Sequence, residues 1–368
     1  MRRTVSVCLT IITLLLTSHA SAYAQQGPVV EVAFVLDTTG SMGGLIQGAK
    51  QKIWSIASKI ASAQPTPTLR VGLVGYRDRG DAYVTRSFDL TEDLDSIYEH
   101  LQAFQAQGGG DTPEHVGRAL GEAVSTFSWS TSKNTMKMIF LVGDAPPQVY
   151  QDGWNYRTWA KNAIAKGVVV NTVRCGGMAQ TGSAFKQIAK LAQGSFTTID
   201  ASGGMVAIST PFDAKIEELN RKMTDTALYG GAERAKAQRK VARMGKMKGE
   251  AAANRVKYGI AQASTGRSGM LSAKSAGRAK DLVAEPEALA AMAENELPTS
   301  LRKLSKREQR AQLKKLGKAR KALAAELKKV TAQRDSFVKQ KVTQKSDSFD
   351  AKVMKEVEKR GKKFGLKF

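Results

Sequence analysis

Apolar runs of strand length alternate with segments whose apolar residues recur every three to four positions. Together they predict a doubly wound α/β fold with a mostly parallel sheet over residues 25–230. Charge marks off a second region. Residues 25–230 carry 19 basic and 19 acidic side chains, whereas residues 231–368 carry 36 and 14, so nearly all of the formal +24 is C-terminal. That half is expected to be a basic α-helical extension. A length of 368 residues, 42% of them hydrophobic, suits two or three domains with a full core and excludes global disorder.

Met1 to Ala24 has the form of a secretory signal: Arg2 and Arg3, an apolar run from Val5 to Leu16, and Ala22-Tyr23-Ala24 as a cleavage site. The chain is therefore expected to be exported, to the periplasm or beyond, and to start at Gln25. Nothing after the signal approaches the ~18 to 20 apolar residues that span a bilayer. Loss of the signal leaves Cys175 as the sole cysteine, which excludes an internal disulfide, and leaves only His100 and His115, which argues against a histidine zinc site.

The strands follow in order: Val29 to Leu36, Leu69 to Gly75, Met136 to Val142, Val168 to Val173 and Ser195 to Ile199. Between the first two, Leu45, Ile46, Ala49, Ile53, Ile56 and Ile60 form a helical stripe; Val116, Leu120, Val124 and Phe127 form another. Tyr83 to Leu90 alternates and follows the turn-rich Arg77-Asp78-Arg79-Gly80-Asp81, which predicts an antiparallel edge strand. Residues 231–298 read as a basic low-complexity linker or a partly helical segment, with no clear apolar stripe. Residues 299–368 read as a helical hairpin or coiled-coil region. Ser305 and Glu308 form a capping box, and Leu316, Leu323, Val330 and Phe337 recur every seventh residue, interrupted by Arg320 and Arg334.

In such sheets ligands gather at the carboxyl ends of the strands. The first strand ends in Asp37-Thr38-Thr39-Gly40-Ser41, the fourth in Gly143-Asp144, and a helix opens after Gly108-Gly109-Gly110-Asp111-Thr112-Pro113-Glu114. One turn can aim Asp37, Thr39 and Ser41 at a common point, with Asp144 reaching it from a neighbouring strand. Hard oxygen donors with room for water suit Mg²⁺, or Mn²⁺ or Ca²⁺, better than a softer metal.

These three motifs, in this order, resemble the metal-ion-dependent adhesion site of von Willebrand factor A-type domains, over roughly residues 29–228. The resemblance implies a doubly wound sheet and a non-enzymatic interaction module, whose Mg²⁺ binds an acidic group of a protein partner. It carries over Asp37, Thr39, Ser41 and Asp144 as metal-site residues; Thr39 replaces the family's usual serine but keeps a hydroxyl. For the middle motif it implies either Thr112 or Glu114. The Asp-x-Pro-Glu form is similar to integrin β chains, which favours Glu114 and lets Asp111 serve an adjacent second cation.

Other readings compete. Asp37 after a buried strand could be the nucleophile of a Mg²⁺-dependent phosphohydrolase, but Thr39 stands where that chemistry needs a second Asp. Gly48 is followed by Ala49, so the Gly-Lys pair of a phosphate loop is missing. Arg79-Gly80-Asp81 matches an adhesion tripeptide, yet Gly and Asp belong in any turn. Tyr150 and Trp154 could rim the metal face as binding anchors or simply cover the sheet. The basic extension suits an anionic envelope polymer or lipid headgroups, which makes a polyanion binder driven by the tail a third reading; export argues against chromosomal nucleic acid, and few aromatics against single-strand stacking.

Overall fold

The computed structural model describes residues 28–368 except 111, 205–206, 267–268, 272–277 and 342–347. The expected signal segment, the start at Gln25 and Asp111 therefore lie outside the described residues. Six strands form one sheet in the order β3-β2-β1-β4-β5-β6. They are β1 (Val29–Asp37), β2 (Thr68–Tyr76), β3 (Thr85–Thr91), β4 (Thr135–Gly143), β5 (Val168–Cys175) and β6 (Phe196–Ile199). All pairings are parallel except β2 with β3, the antiparallel edge.

The central strands β1 and β4 are almost wholly buried and mostly apolar because both faces are covered. On one face Val30, Val32, Phe34 and Leu36 of β1 pack with Leu45, Ile46, Ile56 and Ile60 of α1 (Gly43–Ala61) and with Ile97 and Leu101 of α2 (Leu94–Ala103). On the other, Ala33 and Val35 meet α3 (Val116–Ser125), α4 (Tyr156–Ala165) and α5 (Ala179–Leu191) through Leu120, Ala160 and Ile188. The period of two along β1 assigns each side chain to its layer.

The C-terminal region is helical, and residues 231–298 take the partly helical form of the two alternatives. Residues 213–298 hold α6 (Asp213–Asp225), β7 (Tyr229–Gly230), α7 (Arg234–Gly245), α8 (Gly249–Ser264) and β8 (Lys280–Asp281), with β7 and β8 paired antiparallel. α8 packs on α1. The apolar faces of α7 and α8 are built from Ala237, Val241, Met244, Ala252, Ala253 and Val256, all buried. Small side chains between long charged ones hide such a face from a search for Leu and Ile periodicity.

After the short α9 (Thr299–Arg302), α10 (Lys306–Lys341) and α11 (Phe349–Gly361) follow. The capping box forms: the Ser305 amide and hydroxyl donate to Glu308 Oε2 at 2.8 and 2.7 Å. Each long helix docks mainly elsewhere than on the other, α10 on α6 and α8, α11 on α1. Phe349, Val353 and Val357 of α11 complete the core under Phe34 and Phe140, and the Lys367 amide donates to Gln64 O at 2.9 Å. Among the described residues no helix is long and apolar enough to cross a membrane.

Candidate metal centre at the carboxyl edge of the sheet

β1 delivers Asp37 to the sheet edge fully buried. Its Oδ1 accepts from the Thr39 amide at 2.9 Å and the Thr39 hydroxyl at 2.6 Å. The Thr39 and Ser41 hydroxyls are 3.4 Å apart, so Asp37, Thr39 and Ser41 form one chain of oxygens. The other oxygen, Oδ2, is buried and has no hydrogen-bond partner among the described residues. Burial pushes the Asp37 carboxyl up to about 7; the Thr39 hydrogen bonds oppose that rise, the nearby Asp144 charge adds to it, and the Asp144 backbone amide opposes it again.

Two glycines make this arrangement possible. A Cβ on Gly143 would stand 2.3 Å from the Tyr76 hydroxyl and 3.1 Å from Asp37 Oδ2. A Cβ on Gly109 would meet the Thr39 side chain at 3.1 Å and Glu114 Oε1 at 3.7 Å. The Gly-rich loop is tied to the first motif, the Gly40 amide donating to Gly108 O at 3.1 Å. It is tied to the third by the Glu114 amide to Pro146 O, 3.0 Å, and the Gln148 amide to Glu114 O, 2.8 Å. The three sequence motifs thus converge. Burial first, and then the charges of Asp37, Glu114 and Asp144, push the Tyr76 hydroxyl well up, so all three acids lie within electrostatic reach of one buried phenol.

The predicted residues are not equivalent in place. Asp37 and Thr39 are buried, Asp144 is half-buried, and Ser41 and Thr112 are exposed. Glu114 is buried, but among the described residues no three acids, histidines or cysteines form a group able to hold a metal. Glu114 faces the same Gly-rich loop as Thr39, since a Cβ on Gly109 would lie near both. A cation here would rely on two carboxylates with hydroxyls and water, which fits Mg²⁺ chemistry, and the unpartnered Asp37 Oδ2 supplies a donor for it.

Several side chains escaped the sequence reading. Gly143 and Tyr76 shape the cradle, and the Thr181 hydroxyl of α5 holds the Asp144 carbonyl at 2.7 Å. Gly143 stands in the predicted strand-end motif, but its closeness to Tyr76 is not readable there; Tyr76 and Thr181 carry no local signal. The Arg79-Gly80-Asp81 tripeptide is occupied internally. Arg79 pairs with Asp152 at 2.7 Å and lies 4.0 Å over the Tyr150 ring, while Asp81 Oδ1 accepts from the Gly109 amide at 3.2 Å. Tyr150 donates to Asp78 at 2.7 Å, and Trp154 stacks on Trp159 against Gly121. Both aromatics are thus held by this fold. Desolvation raises the Asp152 carboxyl, but the Trp154 amide, His115 and Arg79 hold it below its ordinary value.

A doubly wound α/β domain whose carboxyl edge gathers an Asp-x-Thr-x-Ser turn, a Gly-rich loop and a strand-terminal Asp defines a class of ligand-binding domain. The family model of the von Willebrand factor A domain matches residues 31–210, and the chain carries such a domain there. Human von Willebrand factor A domain-containing protein 7 is 34% identical over 121 residues, 33% of this chain and 12% of that protein. An ariadne-like RING finger protein of Acanthamoeba polyphaga mimivirus is 29% identical over 119 residues, 32% of this chain and 11% of that protein. The aligned segments thus span about a tenth of these relatives. Among solved structures, proximal thread matrix protein 1 of the mussel byssus, with a zinc-occupied metal-ion-dependent adhesion site, is 18% identical. The match has a TM-score of 0.37 and covers 47% of this chain and 42% of that one.

Proposed function

We propose that this chain is an exported, non-enzymatic interaction protein whose A domain holds Mg²⁺ through Asp37, Thr39, Ser41 and Asp144 and captures an acidic group of a protein partner. The observation that carries the reading is the buried Asp37, with Oδ1 fixed by Thr39 and Oδ2 without a partner at the mouth of three converging loops. A bound Mg²⁺ would supply an electrophilic centre at which a partner carboxylate can replace a water. The chain's own residues orient and neutralise only in part: two carboxylates are at hand, and the hydroxyls of Thr39 and Ser41 bring no charge. Glu114 acts in this reading through the loop it ties down, and Thr112 is the exposed residue left as the middle ligand. Export rests on Met1 to Ala24.

A hydrolase reading gains no support from the geometry. Thr39 stands where that chemistry needs a second acid, and its hydroxyl is bonded to Asp37 Oδ1. The test uses the full chain on a sensor surface, with a Glu-containing peptide and its Gln counterpart as probes. Binding of the Glu peptide alone, in Mg²⁺ and not in chelator, is expected. Binding that ignores both chelator and the Glu-to-Gln change would refute the proposal.

A further inference from the structure

The 36-residue α10 sorts its cations by direction. Arg334 turns inward to Asp213 at 2.7 Å, and Arg320 turns to Asp281 at 2.6 Å, both pairs largely buried. The apolar residues Leu313, Leu327 and Val330 are buried against the same body. What remains outside is a stripe of exposed cations at Arg307, Arg310, Lys314, Lys318, Lys321 and Lys328. Steps of three, four and seven keep these six on one side of the helix over ~32 Å.

No ion pair engages any of the six among the described residues. The only carboxylates of α10 are spent elsewhere: Glu308 caps the helix, Glu326 meets Lys215 and Asp335 meets Lys257. Exposed alanines, Ala311, Ala322 and Ala325, separate the cations and leave room for close approach. Like charges three and four apart destabilise an isolated helix by ~0.2–0.5 kcal/mol per pair. Arg310–Lys314, Lys314–Lys318 and Lys318–Lys321 are such pairs, and a polyanion would relieve them.

We infer that the outer face of α10 is a binding surface for a linear phosphate polymer. A straight stripe one helix wide matches a line of charges. Lys acts as a compact, hydrated point charge suited to phosphate. A bilayer fits less well, because an interfacial helix buries an apolar face in lipid, and the apolar face of α10 is already used against α6 and α8. Single-stranded nucleic acid fits less well because this face of α10 offers no aromatic side chain for stacking, and duplex DNA because its phosphates wind around the helix axis instead of following a straight stripe.

The test titrates the full chain with inorganic polyphosphate, double-stranded DNA and vesicles containing phosphatidylglycerol, each at 50 and 200 mM salt. Polyphosphate is expected to bind tightest and to weaken steeply with salt. The Lys314→Gln, Lys318→Gln, Lys321→Gln triple variant should weaken it roughly 30-fold without lowering the melting temperature. Asp37→Ala should leave it unchanged, which separates this surface from the metal site. Unchanged polyphosphate binding by the triple variant, or tighter binding of DNA or vesicles, would overturn the inference.

Discussion

At the scale of single residues, Asp37 decides how the site responds to pH. Its carboxyl is raised from 3.8 to about 7 by burial, so the metal-free folded chain holds this proton more tightly than the unfolded chain does. The stability gained from that proton is complete below the ordinary carboxylate pKa and is lost as pH rises through about 7. A cation competes with the same proton. Mg²⁺ affinity should therefore rise roughly tenfold from pH 6 to pH 8 and flatten above, as calorimetry at fixed ionic strength would show. An affinity flat across that range would contradict the assignment. Gly143→Ala places a methyl against Tyr76 and Asp37, with an expected cost of about 1–3 kcal/mol in urea unfolding and weaker metal binding. That Asp37, Thr39 and Ser41 share one turn was legible because their spacing is local, and that Asp144 lies at a strand end because an apolar run precedes it. The Tyr76 neighbourhood was not, since it is assembled by strands 39 residues apart in sequence.

At the scale of elements, charged residues that look misplaced in sequence turn out to be joints. Arg320 and Arg334 interrupt the heptad of α10. In the structure they insert into Asp281 and Asp213, so the interruption is the attachment. Lys52 with Glu250 and Arg255 with Asp95 join α8 to α1 and α2 in the same manner. Such pairs are invisible in sequence because neither partner's position predicts the other's. Removing one member of a buried pair leaves a charge without compensation. Asp213→Ala should cost about 3–5 kcal/mol by denaturant unfolding, and adding Arg334→Leu to that variant should recover part of the loss. Equal destabilisation by the single and double variants would show that packing rather than charge holds α10.

At the scale of the whole molecule, the sheet order and its two layers follow from strand patterning, but the boundary of the unit does not. The matched segment ends at residue 210, whereas the core under Phe34 and Phe140 closes only with Phe349, Val353 and Val357. A stripe of four or five apolar residues on a lysine-rich helix gives no hint of a docking place more than a hundred residues upstream. Phe349→Ala should cost about 3–5 kcal/mol, and a chain stopped at residue 340 should melt at lower temperature although it keeps the entire matched segment. A melting temperature equal to that of the full chain would show that α11 is dispensable. The metal centre is the central claim, and calorimetric titration of the full chain with Mg²⁺ at pH 8 tests it most directly. The account predicts one site in the wild type and affinity more than about 100-fold weaker in Asp37→Ala, since even outer-shell partners are worth 10–100-fold. Absence of Mg²⁺ and Mn²⁺ binding in the wild type, or equal binding by the variant, would contradict it.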